Sequence, residues 1–169
     1  LILRDYCAPR VLGRELAGAA EVAPLTAHIR GHNMARGGLE AAVWDLEARM
    51  EGVPLWRKIG GGARREIPCG VSIGIQNSVE ELLEKVACEL AAGYQRIKMK
   101  IKPGWDVDAC RAIREEFPGI LLQVDANGAY SPADADQLKK LDGFDLLLIE
   151  QPFRPYDLWD HSRLQKQLK

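Results

Sequence analysis

Apolar and polar residues follow two different rhythms along this chain, and the change falls near residue 66. Beyond it, short apolar runs are separated by amphipathic segments. Residues 67–73 form a β-rich run bounded by Pro68 and Gly74. Ser78 and Glu81 stand at the spacing of a helix capping box, and Val79, Leu82, Leu83, Val86 and Leu90 follow at helical intervals. Residues 96–101 alternate strictly, the pattern of a half-buried strand. Asp106 is placed to cap a second helix carrying Val107, Cys110, Ile113 and Phe117. Two more apolar runs, 120–124 and 146–149, flank a helix start at Ser131 and Pro132, with Asp134 three residues after the serine. Leu158, His161, Leu164 and Leu168 mark the stripe of a last helix, in which the chain closes at Lys169. Strand and helix repeat roughly four times at about 25 residues per unit, which predicts a parallel sheet with crossover helices.

The earlier residues lack this rhythm. Leu39, Val43, Leu46 and Met50 line one face of a helix over residues 35–51, which Gly52 stops. Residues 17–29 are a weaker helical candidate because Pro24 interrupts them. Gly60, Gly61 and Gly62 read as a hinge into the first strand. The expected organisation is a helical segment over 1–66 and β/α units over 67–169.

Composition narrows the function classes. A chain of 169 residues, 47% hydrophobic and 28% charged, is long and apolar enough to bury a sizeable core. Its net charge of −1 provides no field for nucleic acid or an anionic membrane, and Trp44, Trp56, Trp105 and Trp159 show no stacking pattern. No apolar run approaches the ~18 residues of a membrane span. Arg4, Asp5 and Pro9 break the first segment, so it does not read as a signal peptide. Cys7, Cys69, Cys88 and Cys110 lie far apart, which fits reduced thiols in a cytoplasm. The chain begins at Leu1 without a methionine, and a piece of a longer protein is expected.

The chemistry concentrates at strand ends. Period two sends Ile97, Met99 and Ile101 to one face of a strand and Lys98 and Lys100, with Arg96, to the other. That second face is either a solvated, lysine-studded edge or the lining of a ligand site. Asp125 and Glu150 each follow a buried run, one β/α unit apart, at the sheet edge where α/β proteins bind ligands. Singly each acid reads as a turn or helix-start residue. Three consecutive strands ending in Lys-x-Lys, Asp and Glu favour a ligand site, and two carboxylates without soft neighbours suit a hard divalent cation. His28 and His32 have metal-ligand spacing, but Gly31 between them disfavours a helix, and His161 reads as a packed histidine.

The segments RIKMKIKPGWD (96–106), VDAN (124–127) and LIEQP (148–152) resemble the enolase superfamily, muconate-lactonizing subgroup. They look most like the o-succinylbenzoate synthase / N-acylamino acid racemase family, and GHNMA (31–35), VWDL (43–46) and PCGVS (68–72) fit it too. The resemblance implies the first half of a (β/α)7β TIM-like barrel, preceded by the helical end of an α+β capping domain. It implies Asp125 and Glu150 as ligands of Mg²⁺ (or Mn²⁺) and Lys100 as the proton-transferring base. Lys98 would hold the substrate carboxylate and help lower the pKa of Lys100, and Ser72 and Asn127 would line the substrate pocket. The residue types suit that chemistry. A proton α to a carboxylate is weakly acidic, so the enediolate must be stabilised, which Mg²⁺ does. A lysine serves as base near neutral pH only if its pKa falls, toward which an adjacent ammonium and the metal charge both push it. The implied reaction is a dehydration in menaquinone biosynthesis; racemisation of N-acylamino acids, dipeptide epimerisation and cycloisomerisation are alternatives on the same residues. The implied partners are a small-molecule carboxylate and, for the full-length protein, further copies of itself, with no nucleic acid and no membrane. The family's third metal ligand and opposing lysine would lie beyond Lys169, and its substrate-selecting loops before Leu1. The chain by itself is therefore expected to be inactive or nearly so, and a non-catalytic fragment keeping only the fold is the reading from another class.

Overall fold

The computed structural model describes residues 1–62 and 64–169, in two compact units, Leu1–Arg65 and Glu66–Lys169. Among the described residues no helix is long and apolar enough to cross a membrane.

The first unit is helical. Short turns at Leu3–Cys7, Ala8–Arg10 and Ala19–Glu21 precede α1 (Val22–Thr26), α2 (Asn33–Met50) and α3 (Leu55–Lys58). Of the candidate helix over 17–29 only the turn at Ala19–Glu21 and this brief α1 form, with Pro24 in the first turn of α1, where a missing N–H leaves no bond unmade. Gly52, at φ +68, ends α2: its N–H donates to Arg49 O and that of Val53 to Ala48 O, a Schellman closure. The expected apolar stripe of α2 is covered only in part: Leu39 and Val43 are half-buried. Leu46 and Met50 are 56% and 80% exposed, and they line an open groove of about 610 Å³ with Val11, Leu12 and Leu16. The anchored side of the helix carries buried Ala48 and Glu47, whose carboxylate accepts from Ala19 N–H at 2.6 Å and pairs with Lys58 at 2.7 Å.

In the second unit β1 (Gly70–Ile73), α4 (Val79–Ala91), β2 (Arg96–Lys100), α5 (Val107–Glu116), β3 (Leu121–Asp125), α6 (Ala135–Lys139), β4 (Ile149–Glu150) and α7 (Leu158–Gln165) follow in order. The four strands pair in parallel in the order β1-β2-β3-β4, the architecture the strand–helix rhythm predicts. Ile73, Ile97, Met99, Leu122 and Val124 project from one face onto Leu82, Val86, Cys110, Ile113, Leu138 and Leu164, and this cluster is the core. Ser78 Oγ caps α4 by accepting from Glu81 N–H at 3.2 Å. The reciprocal half of the expected box is displaced, because Glu81 reaches Asn77 N–H instead of Ser78. Asp106 caps α5, and Ser131 and Asp134 close a full capping box before α6, which is flanked by tight turns of 3₁₀ helix.

Strand ends depart from the apolar runs. The first run is strand only from Gly70, and Ile67 is exposed. The last is strand only at Ile149–Glu150, although Leu147 N–H donates to Leu122 O and Leu148 O accepts from Val124 N–H. Leu147 and Leu148 are exposed because β4 is an edge of the sheet. In α7 only Leu164 of the predicted stripe is buried; Leu158 is exposed, and the helix stops at Gln165. Arg96 gains an explanation in register: it lies opposite Gly70, and a Cβ there would stand 2.6 Å from Arg96 Nε. The missing side chain makes room for the arginine.

Candidate active site

Four neighbouring strands carry the candidate residues, and parallel pairing aligns them. Ser72, Lys98 and Gln123 share one register level across β1, β2 and β3; Lys100, Asp125 and Glu150 share the next across β2, β3 and β4. In parallel strands, residues at one level point to the same face, so these six occupy the side opposite the apolar core.

Their polar atoms converge. Lys98 Nζ lies 2.9 Å from Glu150 Oε2 and 3.2 Å from Asp125 Oδ2. Lys100 Nζ lies 2.6 Å from the same Asp125 Oδ2 and donates also to Asn127 Oδ1. Asp125 is 1% exposed, and its other oxygen accepts from Asn127 N–H at 3.0 Å. Burial works against the charge on Asp125, but the Lys100 ammonium, the Asn127 N–H and the Lys98 ammonium outweigh it and hold the carboxyl below its usual range. Lys98 is held above the usual lysine value, by Glu150 first and Asp125 second. The lysine face is therefore a half-buried, ion-paired surface and not a solvated edge.

The loop after β3 is locked by backbone. Asn127 sits at φ +46 and Gly128 at φ +76; Gly128 N–H donates to Gln151 O at 2.8 Å, and Ala126 N–H to Glu150 O at 3.0 Å. A Cβ on Gly128 would stand 3.1 Å from Phe153 O, so the close approach of the two loops needs glycine. Ser72 lies on the same face, is exposed, and joins none of these bonds.

The remaining candidates separate cleanly. His28 and His32 are both exposed, and His32 sits at φ +50 just before α2, so the pair shares no helix face. His161 is structural: its Nδ1 meets Asp157 O at 2.6 Å and its ring packs edge-on against Phe153. Gln123 escaped the sequence reading. It is 8% exposed and its Nε2 donates to Glu150 Oε2 at 2.9 Å. Its parity with Asp125 on β3 was the available signal.

The donor set fits a hard cation in part. Asp125 and Glu150 turn one oxygen each toward a single positive atom, Lys98 Nζ, which stands in for a cation between them, and every donor there is oxygen. Among the described residues no group of three or more side chains that could hold a metal ion gathers.

Residues 81–169 match the family described as "Enolase C-terminal domain-like", and residues 1–60 match "Mandelate racemase / muconate lactonizing enzyme, N-terminal domain". The o-succinylbenzoate synthase of Geobacillus kaustophilus is 49% identical over 168 residues, 99% of this chain and 44% of that protein. The N-succinylamino acid racemase of an Amycolatopsis species is 47% identical over 169 residues, 99% of this chain and 46% of that protein. A solved enolase superfamily member from Listeria innocua superposes with a TM-score of 0.89 at 42% identity, over 99% of this chain and 45% of that one. The chain thus spans less than half the length of the relatives it matches.

Proposed function

Because this chain belongs to the enolase superfamily, we propose that it supplies the metal-holding and lysine-bearing part of a lyase that removes a proton α to a carboxylate, an o-succinylbenzoate synthase of menaquinone biosynthesis. The observation that carries this reading is the meeting of Lys98, Lys100, Asp125 and Glu150 through contacts of 2.6 to 3.2 Å. Identity of 49% to a synthase supports the choice of reaction.

In this reading Asp125 and Glu150 hold the divalent cation, Mg²⁺ or Mn²⁺, which when bound supplies positive charge beside oxygens on which negative charge builds. Lys100 Nζ takes the α-proton, and Asn127, whose Oδ1 accepts from that Nζ, aims it. Lys98 Nζ exchanges its bridging contacts for the substrate carboxylate. Ser72 lines the pocket one strand away. The hydroxyl then departs from the cyclohexadiene carboxylate, taking back as water the proton that Lys100 Nζ had accepted, to give o-succinylbenzoate. The third metal ligand and an opposing lysine come from outside this chain, which alone is inactive or nearly so. The full-length protein works in the cytoplasm as a homo-oligomer.

A second reading rests on near-equal similarity to the N-succinylamino acid racemase, at 47% identity. It uses the same lysines and carboxylates to racemise N-acylated amino acids. Assay of the full-length protein with both substrate classes decides: dehydration supports the first reading, racemisation alone the second, and turnover of neither overturns both.

A further inference from the structure

Three strand-end segments meet at one residue that the proposed chemistry does not use. Tyr130 is 4% exposed, and its phenol donates to Asp106 Oδ2 at 2.9 Å. Asp106 is buried too; its Oδ1 accepts from Val107 N–H at 2.6 Å and from Gln137 Nε2 at 3.1 Å. It closes the segment that follows Lys100, after a tight turn in which Lys102 and Trp105 exchange backbone bonds of 3.2 and 2.9 Å. The backbone N–H of Tyr130 donates to Pro152 O at 3.1 Å, in the segment that follows Glu150. Tyr130 therefore joins the ends of β2, β3 and β4.

What it joins has unusual backbone. Asn127 at φ +46 and Gln151 at φ +44 are left-handed, a region asparagine tolerates and glutamine rarely adopts unless its surroundings enforce it. Asn127 is also the partner of Lys100 Nζ, so movement of the 126–130 segment against the 101–106 segment moves the acceptor off the amine. Burial first, and the Asp106 carboxylate second, push the Tyr130 hydroxyl up, which keeps it a donor.

We propose that Tyr130 and Asp106 are a positioning pair, whose buried hydrogen bond holds Asn127 against Lys100 and so aims the lysine amine at the substrate. The catalytic half of the inference rests on the proposed function; the mechanical half stands without it.

Tyr130→Phe removes only the hydroxyl. In the full-length protein kcat is expected to fall about 10- to 100-fold, while KM changes less than about twofold. Amide exchange over residues 126–130 speeds up relative to residues 97–99 of β2. Asp106→Asn keeps an oxygen for Val107 N–H but turns an amide N–H toward the phenol, which leaves the buried O–H without its acceptor, and is expected to lower kcat in the same direction as Tyr130→Phe. Unchanged kcat and exchange in Tyr130→Phe overturn the proposal, as does equal acceleration of exchange in β2, the signature of a general loss of packing. If the wild-type protein turns over neither substrate class, the proposed function fails, and the exchange comparison alone then upholds or overturns the pair.

Discussion

Lys98 and Glu150 are joined at 2.9 Å across an intervening strand. Lys98 lies level with Gln123 and Glu150 level with Asp125, so the lysine reaches diagonally over β3 to meet a carboxylate 52 positions later in sequence. The contact needs both residues on the same face of a parallel sheet. Gln123, beneath that diagonal, donates to the same Glu150 oxygen and fixes where the carboxylate stands.

Gln123→Leu follows from this. The substitution is close in volume but removes the donor that orients Glu150. A carboxylate that has lost its outer partner binds metal more weakly, and Mg²⁺ affinity of the full-length protein is expected to drop about 10- to 100-fold by calorimetric titration. An unchanged affinity would show that the Gln123 donor does not orient Glu150 for the metal.

Asp125→Asn tests the centre of the ion cluster. The amide leaves Lys98 and Lys100 without their shared anion, and metal-free stability at neutral pH is expected to fall by about 1–3 kcal/mol in urea denaturation. The sign with pH is fixed by the direction of the Asp125 shift. Its carboxyl ionises more readily folded than unfolded, so its stabilisation is complete above the ordinary value of 3.8 and fades as pH falls through the lower folded value. The gap between wild type and variant should close at acid pH and stay open at neutral pH.

Gly128→Ala separates backbone strain from crowding. Gly128 and Gly104 have φ of +76 and +80, but an added Cβ meets Phe153 O at 3.1 Å only in the first, and nothing within 4 Å in the second. Gly104→Ala should cost the left-handed penalty of about 1–2 kcal/mol. Gly128→Ala should cost more and should also depress turnover, because it separates the loops that carry Asn127 and Gln151. Equal losses in stability would place the whole cost in the backbone.

Cys110 gives an alkaline signature. Burial first, and the Asp106 charge second, push its thiol from the ordinary 9.0 up to about 12. Between those values the unfolded chain releases a proton that the folded chain keeps, so stability declines by about 1.4 kcal/mol per pH unit. Cys110→Ala should remove that slope, measured as the difference between variant and wild type on going from neutral pH to about pH 10. In the folded chain only the exposed Cys69 and Cys88 should react with a thiol reagent, and unfolding should release Cys7 and Cys110.

The sequence was most readable where a period carries the information. Strict alternation over residues 96–101 put Lys98 and Lys100 on one face, and the strand-end position of Asp125 and Glu150 put the acids at the same rim. Gln123 was readable by the same rule and was passed over because an amide inside an apolar run draws no attention. Periodicity says which residues share a face and nothing of what covers it, which is why Leu46 and Met50 are exposed on α2 and Leu158 on α7. Capping partners one residue apart look alike in sequence, so the turn of Glu81 to Asn77 could not be foreseen. Tyr130 stands in a loop without a period, and its role depends on three segments that only folding assembles.

The bridging position of Lys98 has an electrical consequence. Two ammonium groups and two carboxylates cancel, so the rim is formally neutral with nothing bound. A dication settling between Asp125 and Glu150 leaves surplus positive charge and frees Lys98 to face outward, and a negatively charged guest relieves both. Ion and guest should therefore each tighten the hold on the other, a mutual linkage written into four side chains.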